Sequence, residues 1–497
     1  MALFKKIYFQ ILSIFSFTVL LSGCYKGKSV DIVIHNARIH TMNESDAVYE
    51  AIAIKNGKII EVGPEQQILN KYTSEEEIDA GGKDIYPGFT DVNGHIFELA
   101  KRKLSLDLTG TRSYDELLMR LEKYSQLNSS SFIVGRGLDT SLWNSKEKFT
   151  NERLNSSFSK IPVCLYFIGD EVVLANKALL TKSKIESKDG IIKGNSIEKI
   201  ATIIPSYSKD KLKKIFLEIQ NQLFQYGITG VHEAGVTFEN LQLFKSLVKS
   251  NQLKLNMYAM LSPSEKNYEF AKKHKNQTIK NLNISSFYAD DKTPIEELKR
   301  ISLVCEASGY QMSVSSGNEQ KNQIIFDLYK SINEVNKDHR WRIESAQNLT
   351  SKEYNQLSKF GIFASIIPNQ SLRYPTKNVA FKSILNQTGM VAIGSNFPFE
   401  TFNPSSTIHT SVQGLNSDNS QIKGISPRET LTLEECIKGM TTWAAFSSFQ
   451  ETNLGTLEKG KDATFVVFEI PVISGPEFIQ NYASMTFIKG KKVYSVE

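Results

Sequence analysis

Strand-like sequence stands at both ends of this chain, and between them short apolar runs alternate with amphipathic helical windows. Near the start, Asp31-Ile32-Val33-Ile34-His35-Asn36-Ala37-Arg38-Ile39 alternates in polarity, and Asn56-Gly57 separates two apolar runs at residues 51–54 and 58–60. A two-residue period marks a half-buried strand, and Asn-Gly is the preferred pair for a tight hairpin turn. The same strand character returns only at residues 462–468 and 485–494. A small β-sandwich built from both termini is therefore expected, from residues 24–84 and 451–497, with residues 85–450 inserted into it.

Inside that insertion, helical windows at 211–226 and 238–250 alternate with candidate strands at 228–231, 253–260, 282–289, 310–314, 340–343, 362–366 and 390–393. Repeated strand–helix units predict an α/β fold with a parallel sheet, here a TIM-like (β/α)8 barrel carrying an extra inserted segment at about 105–205. The 497 residues, 40% of them hydrophobic, are enough to bury such a core. In a barrel of this kind the C-terminal strand ends carry the active site.

The first residues stand apart from the fold. Lys5 and Lys6 precede a mostly apolar run at 7–21, which is followed by Ser22-Gly23-Cys24. This resembles a bacterial lipoprotein signal, with residues 1–23 removed and Cys24 lipidated. The alternative is an uncleaved anchor, although about 15 apolar positions are short for a spanning helix. Either way a cell-envelope location, tethered to a membrane and facing the periplasm or the surface, is expected. Cys164, Cys305 and Cys436 are far apart and lack metal-type spacing, so they read as buried thiols. The net charge of +6 is scattered, without a basic stripe or interleaved aromatics, and gives nucleic-acid binding no support.

Several motifs fall at the predicted strand ends. Pro87-Gly88-Phe89-Thr90-Asp91 precedes Asn93-Gly94-His95, Arg342-Ile343-Glu344 precedes Ser345-Ala346-Gln347, and Gly394-Ser395 precedes Asn396-Phe397-Pro398. With Leu106-Asp107-Leu108-Thr109-Gly110, Gly135-Arg136-Gly137-Leu138-Asp139, Val231-His232-Glu233-Ala234-Gly235 and the 455–463 segment, they resemble the amidohydrolase superfamily, in the branch of the N-substituted formamide deformylases. The resemblance implies hydrolysis of non-peptide C–N bonds by one or two divalent metals, usually zinc. Such metals lower the pKa of a bound water to about 7, and an aspartate shuttles its proton.

The resemblance also implies which positions should hold metal, and most carry a neutral side chain. The first His-x-His is Asn93-Gly94-His95, which leaves His95 as the single retained ligand. The lysine position falls on Ser286, ahead of Phe287-Tyr288-Ala289-Asp290, and the histidine closing the fifth strand falls on Ser315. The next histidine is Ser345, and the proton-shuttling aspartate is Asn396. Accessory histidines align with Glu171, preceded by Asp170, and with Gln370. Anionic ligands left without their dication would be buried charges without compensation, and neutral replacements avoid that cost.

The sequence therefore predicts a pseudoenzyme with no metal cofactor. Its pocket would draw on Asn93, His95, Glu98, Asp170, Glu171, His232, Glu233, Ser315, Ser345 and Asn396 and bind a small amide-like ligand. Three alternatives stay open. His95, Glu98, Asp170, Glu171 and His232 could form a remodelled metal site of an active C–N hydrolase. Ser315 or Ser345 could pair with His95 or His232 as a nucleophile. The protein could also be a structural or partner-binding envelope component. His339 is expected at the barrel's other end, and His35, His40, His274 and His409 in solvent or loops.

Overall fold

The computed structural model describes residues 27–496, apart from 129–130, 144–148, 170–171, 334–337, 371–378, 417–418 and 473–480. Eight parallel strands follow one another in chain order: β1 (Phe89–Gly94), β2 (Ile228–Val236), β3 (Asn256–Leu261), β4 (Leu282–Ala289), β5 (Gln311–Ser315), β6 (Arg342–Glu344), β7 (Phe363–Ile366) and β8 (Ala392–Ile393). Each pairs in parallel with the next. Backbone bonds from Asn396 to the Asn93 carbonyl (2.9 Å) and from His95 to the Phe397 carbonyl (3.0 Å) bring the last strand back to the first. The expected TIM-like barrel is the fold of the molecule.

Strands enclosed by helices on one side and by the barrel interior on the other are buried on both faces. Every residue of β3 is buried, which is why Asn256-Met257-Tyr258-Ala259-Met260-Leu261 does not alternate. The helix Lys209–Gln225 starts where the Ser208 side chain accepts from the Lys211 amide, and Phe238–Lys249 starts where Thr237 accepts from Asn240. Phe238–Lys249 buries Leu241, Phe244, Leu247 and Val248 against the barrel at three- and four-residue spacing.

Strands from the two ends of the chain share a sheet. Phe465–Phe468 lies antiparallel to Asp84–Pro87, which leads directly into β1, and Ala483–Ile488 flanks it. A second, four-stranded sheet holds the hairpin of Ala51–Lys55 with Lys58–Gly63, and Asn56 (φ 52°) and Gly57 (φ 74°) make its turn. Between β1 and β2 the chain builds a separate five-stranded sheet from Leu106–Asp107, Ile133–Leu138, Val163–Phe167, Val172–Ala175 and Ile191–Lys193.

Cys164, Cys305 and Cys436 are buried thiols outside any disulfide. His409 departs from expectation. It is 2% exposed on the helix Pro404–Gln413, with Nε2 3.0 Å from the Asn416 carbonyl, because that helix is enclosed on every side from Pro404 to Ser411. Among the described residues no helix is long and apolar enough to cross a membrane, and Cys24 lies outside them.

Candidate functional site

The strand ends open into a cavity of about 1430 Å³. Asn93 and His95 reach it from the end of β1, Ser315 from β5, Ser345 from just after β6, Gln370 from beyond β7, and Asn396 from just after β8. Five strand ends that the sequence marked by separate motifs thus converge on one space. Gly394 makes this closeness possible, since a Cβ there would stand 2.7 Å from the Asn93 nitrogen. Gly94 does the same, because its Cβ would meet Val231 at 2.5 Å and Phe397 at 2.7 Å.

His95 is half-buried, with Nε2 3.1 Å from Asn396 Oδ1, and Tyr288 and Phe399 stand edge-on to its ring at 6.3 and 5.6 Å. Burial pulls the imidazole pKa below its usual value, against the pull of Glu98, so the ring is neutral near pH 7. Ser345 and Asn396 both hold left-handed backbone (φ 55° and 61°), a conformation that costs a non-glycine residue about 1–2 kcal/mol. The Ser315 hydroxyl lies 2.9 Å from that of Tyr288, and Gln370 accepts from Gln347 at 2.8 Å.

One layer beneath the cavity the residues are charged and paired. Arg342 is fully buried, 2.8 Å from Glu344 Oε1, and donates to His232 Nδ1 (2.9 Å) and to the Val92 carbonyl (3.1 Å). The Ser365 hydroxyl donates to Glu344. Asp91 accepts from the Asn93 and Ser395 amides at 3.1 and 3.0 Å and from the Ser395 hydroxyl at 2.5 Å, while burial pushes its pKa up to about 6.

Three predicted pocket residues are placed elsewhere. His232 turns toward Arg342 and Tyr258, and burial, with the guanidinium beside it, holds its pKa well below the usual value. Glu233 accepts from the Ile96 and Phe97 amides at 2.7 and 3.1 Å, so it caps the helix Ile96–Leu104, and burial raises its pKa to about 8. Glu98 sits on that helix with Lys101 at 2.5 Å. Burial works against its ionisation, yet Lys101, Arg136 and His95 hold its pKa below the ordinary carboxylate value. None of the three lines the cavity.

Ser286 is also below the cavity, fully buried and 3.1 Å from the Ser313 hydroxyl, while Tyr288, two residues on along the same face of β4, lines the cavity. Asp170 and Glu171 lie outside the described residues, between the lining residues Gly169 and Val172. The motifs missed the roof that the inserted sheet supplies through Val172 and Lys193 and the helix Ser196–Ala201 through Glu198, and the rim formed by Asp290, Asp291 and Lys292. The Asp-Asp-Lys run directly after a strand was the available signal for the rim.

At the strand ends the donor set is one imidazole with amides and hydroxyls, and the lining carboxylates Glu198, Asp290, Asp291 and Glu400 stand on the roof and rim, which does not fit a catalytic zinc site of converging imidazoles and carboxylates. Among the described residues no three His, Cys, Asp or Glu side chains come together as a metal-holding group. Asn396 can neither ligate as an anion nor take a proton from water.

A family model for the amidohydrolase family matches residues 76–494. Protein LONG AFTER FAR-RED 3 of Arabidopsis thaliana is 22% identical over 94% of this chain and 92% of its own. The N-substituted formamide deformylase of Arthrobacter pascens is 19% identical over 88% of this chain and 93% of its own. Among solved structures, an uncharacterized metal-dependent hydrolase from Pyrococcus horikoshii superposes with a TM-score of 0.77 at 20% identity, covering 90% of this chain and 99% of that one. The zinc complex of atrazine chlorohydrolase TrzN from Arthrobacter aurescens gives 0.57 at 12% identity, covering 93% and 95%. That neighbour holds zinc, so the expectation of no metal here rests on this chain's own residues and not on its relatives. By the extent of the family match, the chain belongs to the amidohydrolase family of metal-dependent hydrolases.

Proposed function

We propose that this protein is a pseudoenzyme of its family, a membrane-tethered lipoprotein that binds a small polar, amide-like ligand in the barrel mouth without cleaving it. The observation that carries the reading is the neutral donor set. Asn93, Ser315, Ser345 and Asn396 surround the cavity where the family resemblance calls for metal ligands and a proton-shuttling aspartate. Loss of a general base alone forfeits about 10²–10⁴ in rate, before the loss of a metal is counted. The proposed tether, and with it a cell-envelope location for the barrel, is supported by the lipoprotein-like segment ending in Cys24.

Restoring the lost ligands tests the reading. The triple variant Asn93→His, Ser345→His, Asn396→Asp should gain zinc that the parent lacks, read by metal analysis after loading and by the rise in Tm that zinc gives. A parent that already binds zinc tightly, with a triple variant no different, overturns it. A competing reading is an active C–N hydrolase with a remodelled site, favoured by the zinc in the TrzN structure. It predicts chelator-sensitive turnover of formamides, N-acyl amino acids or cyclic amides.

A further inference from the structure

Asn93 carries the one buried acceptor among the cavity's proposed ligand contacts that the described chain does not satisfy. The residue is 1% exposed, and its Nδ2 points at Glu344 Oε2 from 3.5 Å. Turning the amide over would set its oxygen against a carboxylate oxygen, so the orientation is fixed by charge. Its Oδ1 then has no hydrogen-bond partner although it is buried, and the residue lines the cavity. An acceptor left in that state carries a desolvation cost that is removed when a donor arrives from outside.

The surroundings choose the kind of donor. Behind Asn93, Glu344 has Arg342 as its counter-charge, whereas Asp91 is held by hydrogen bonds alone, from Asn93, Ser395 and the Ser395 hydroxyl. The Ser315 and Ser345 hydroxyls beside the floor are able to accept. Among the described residues the rim and roof carry four carboxylates, Glu198, Asp290, Asp291 and Glu400, against three lysines, Lys193, Lys292 and Lys321, and the Lys321 ammonium is engaged by the carbonyls of Asp290, Asp291 and Thr293. At the Asn93 oxygen a carboxylate would meet lone pairs, while an N–H cation would meet an acceptor there and the acidic Asp91 and Glu344 behind it.

We infer that the cavity floor takes a cationic N–H donor, a primary ammonium or amidinium group of a small ligand, with the Asn93 side-chain carbonyl as its first acceptor. The inference rests on the metal-free reading of the site, because the ligand's cation occupies the space that a metal would otherwise command.

The test uses four probes that share a benzene ring and differ in their head group: benzylamine, benzamidine, benzoate and benzyl alcohol. They are titrated by calorimetry into the chelator-treated protein at neutral pH. The two cations should bind at least about tenfold more tightly than the other two, and Asn93→Ser should reduce that preference about tenfold. Benzoate binding as tightly as the amines, or a preference untouched in a folded Asn93→Ser protein, overturns the inference. A Tm measurement establishes folding, and if the variant does not fold, the order of the four probes on the parent decides alone. Zinc retained by the parent before chelation would instead strike the metal-free reading, whatever the order of the probes.

Discussion

Two layers of the barrel interior carry opposite chemistry, and where they share a strand or its end, at Asp91 with Asn93 and at Glu344 with Ser345, they lie one or two residues apart. The lower layer, Asp91, Arg342, Glu344, His232 and Glu233, is charged or titratable, buried, and bonded within the chain. The upper layer, Asn93, His95, Ser315, Ser345 and Asn396, is neutral and faces the cavity. Where the protein supplies the partner, ionisable side chains remain; where a partner would come from outside, amides and hydroxyls stand in their place. The burial cost explains the split, since a buried charge is tolerable only when paired.

Removing one partner from the lower layer has the largest expected effect. Arg342→Met leaves Glu344 buried without its counter-charge and should cost about 3–5 kcal/mol by chemical denaturation. A loss under about 1 kcal/mol would mean that the lower layer is not held by charge pairing.

The next effect is on pH dependence. Glu233 has its folded pKa raised from 4.5 to about 8, so its contribution to stability is fully present below pH 4.5 and is lost as pH rises through 8. Over that window the parent should lose stability at up to about 1.4 kcal/mol per pH unit from this group. Glu233→Gln should flatten the profile while losing one of the two helix-capping bonds; an unchanged slope would remove Glu233 as its source. The smallest effect belongs to the upper layer. Ser345→Gly relieves a left-handed non-glycine residue and should raise stability by up to about 1 kcal/mol while weakening ligand binding. A destabilised variant would show that the serine is there for packing.

Much of the barrel was legible in the sequence because strands buried on both faces leave short, uncharged runs rich in apolar residues. The runs at 282–289 and 362–366 correspond to β4 (Leu282–Ala289) and β7 (Phe363–Ile366), and the Asn56-Gly57 turn was visible from residue type alone. The third strand starts later than its apolar run, at Asn256, because Leu253 and Leu255 are buried in the approach to it. The convergence of Asn93, Ser315, Ser345 and Asn396 followed from their places at strand ends.

Side-chain direction was not legible. His232 and Glu233 end up below the cavity because one pairs with Arg342, more than a hundred residues away, and the other caps a helix from a different strand end. The burial of His409 follows from the enclosure of its whole helix from Pro404 to Ser411, and the cavity roof depends on how the inserted segment folds over the mouth. These placements arise from long-range contacts that no local pattern encodes.

The most direct measurement is the zinc content of the purified protein by mass spectrometry, prepared without chelators and again after zinc loading and dialysis. The neutral upper layer predicts far less than one zinc per chain in both preparations. One or more zinc per chain, together with chelator-sensitive hydrolysis of an amide, would contradict the account.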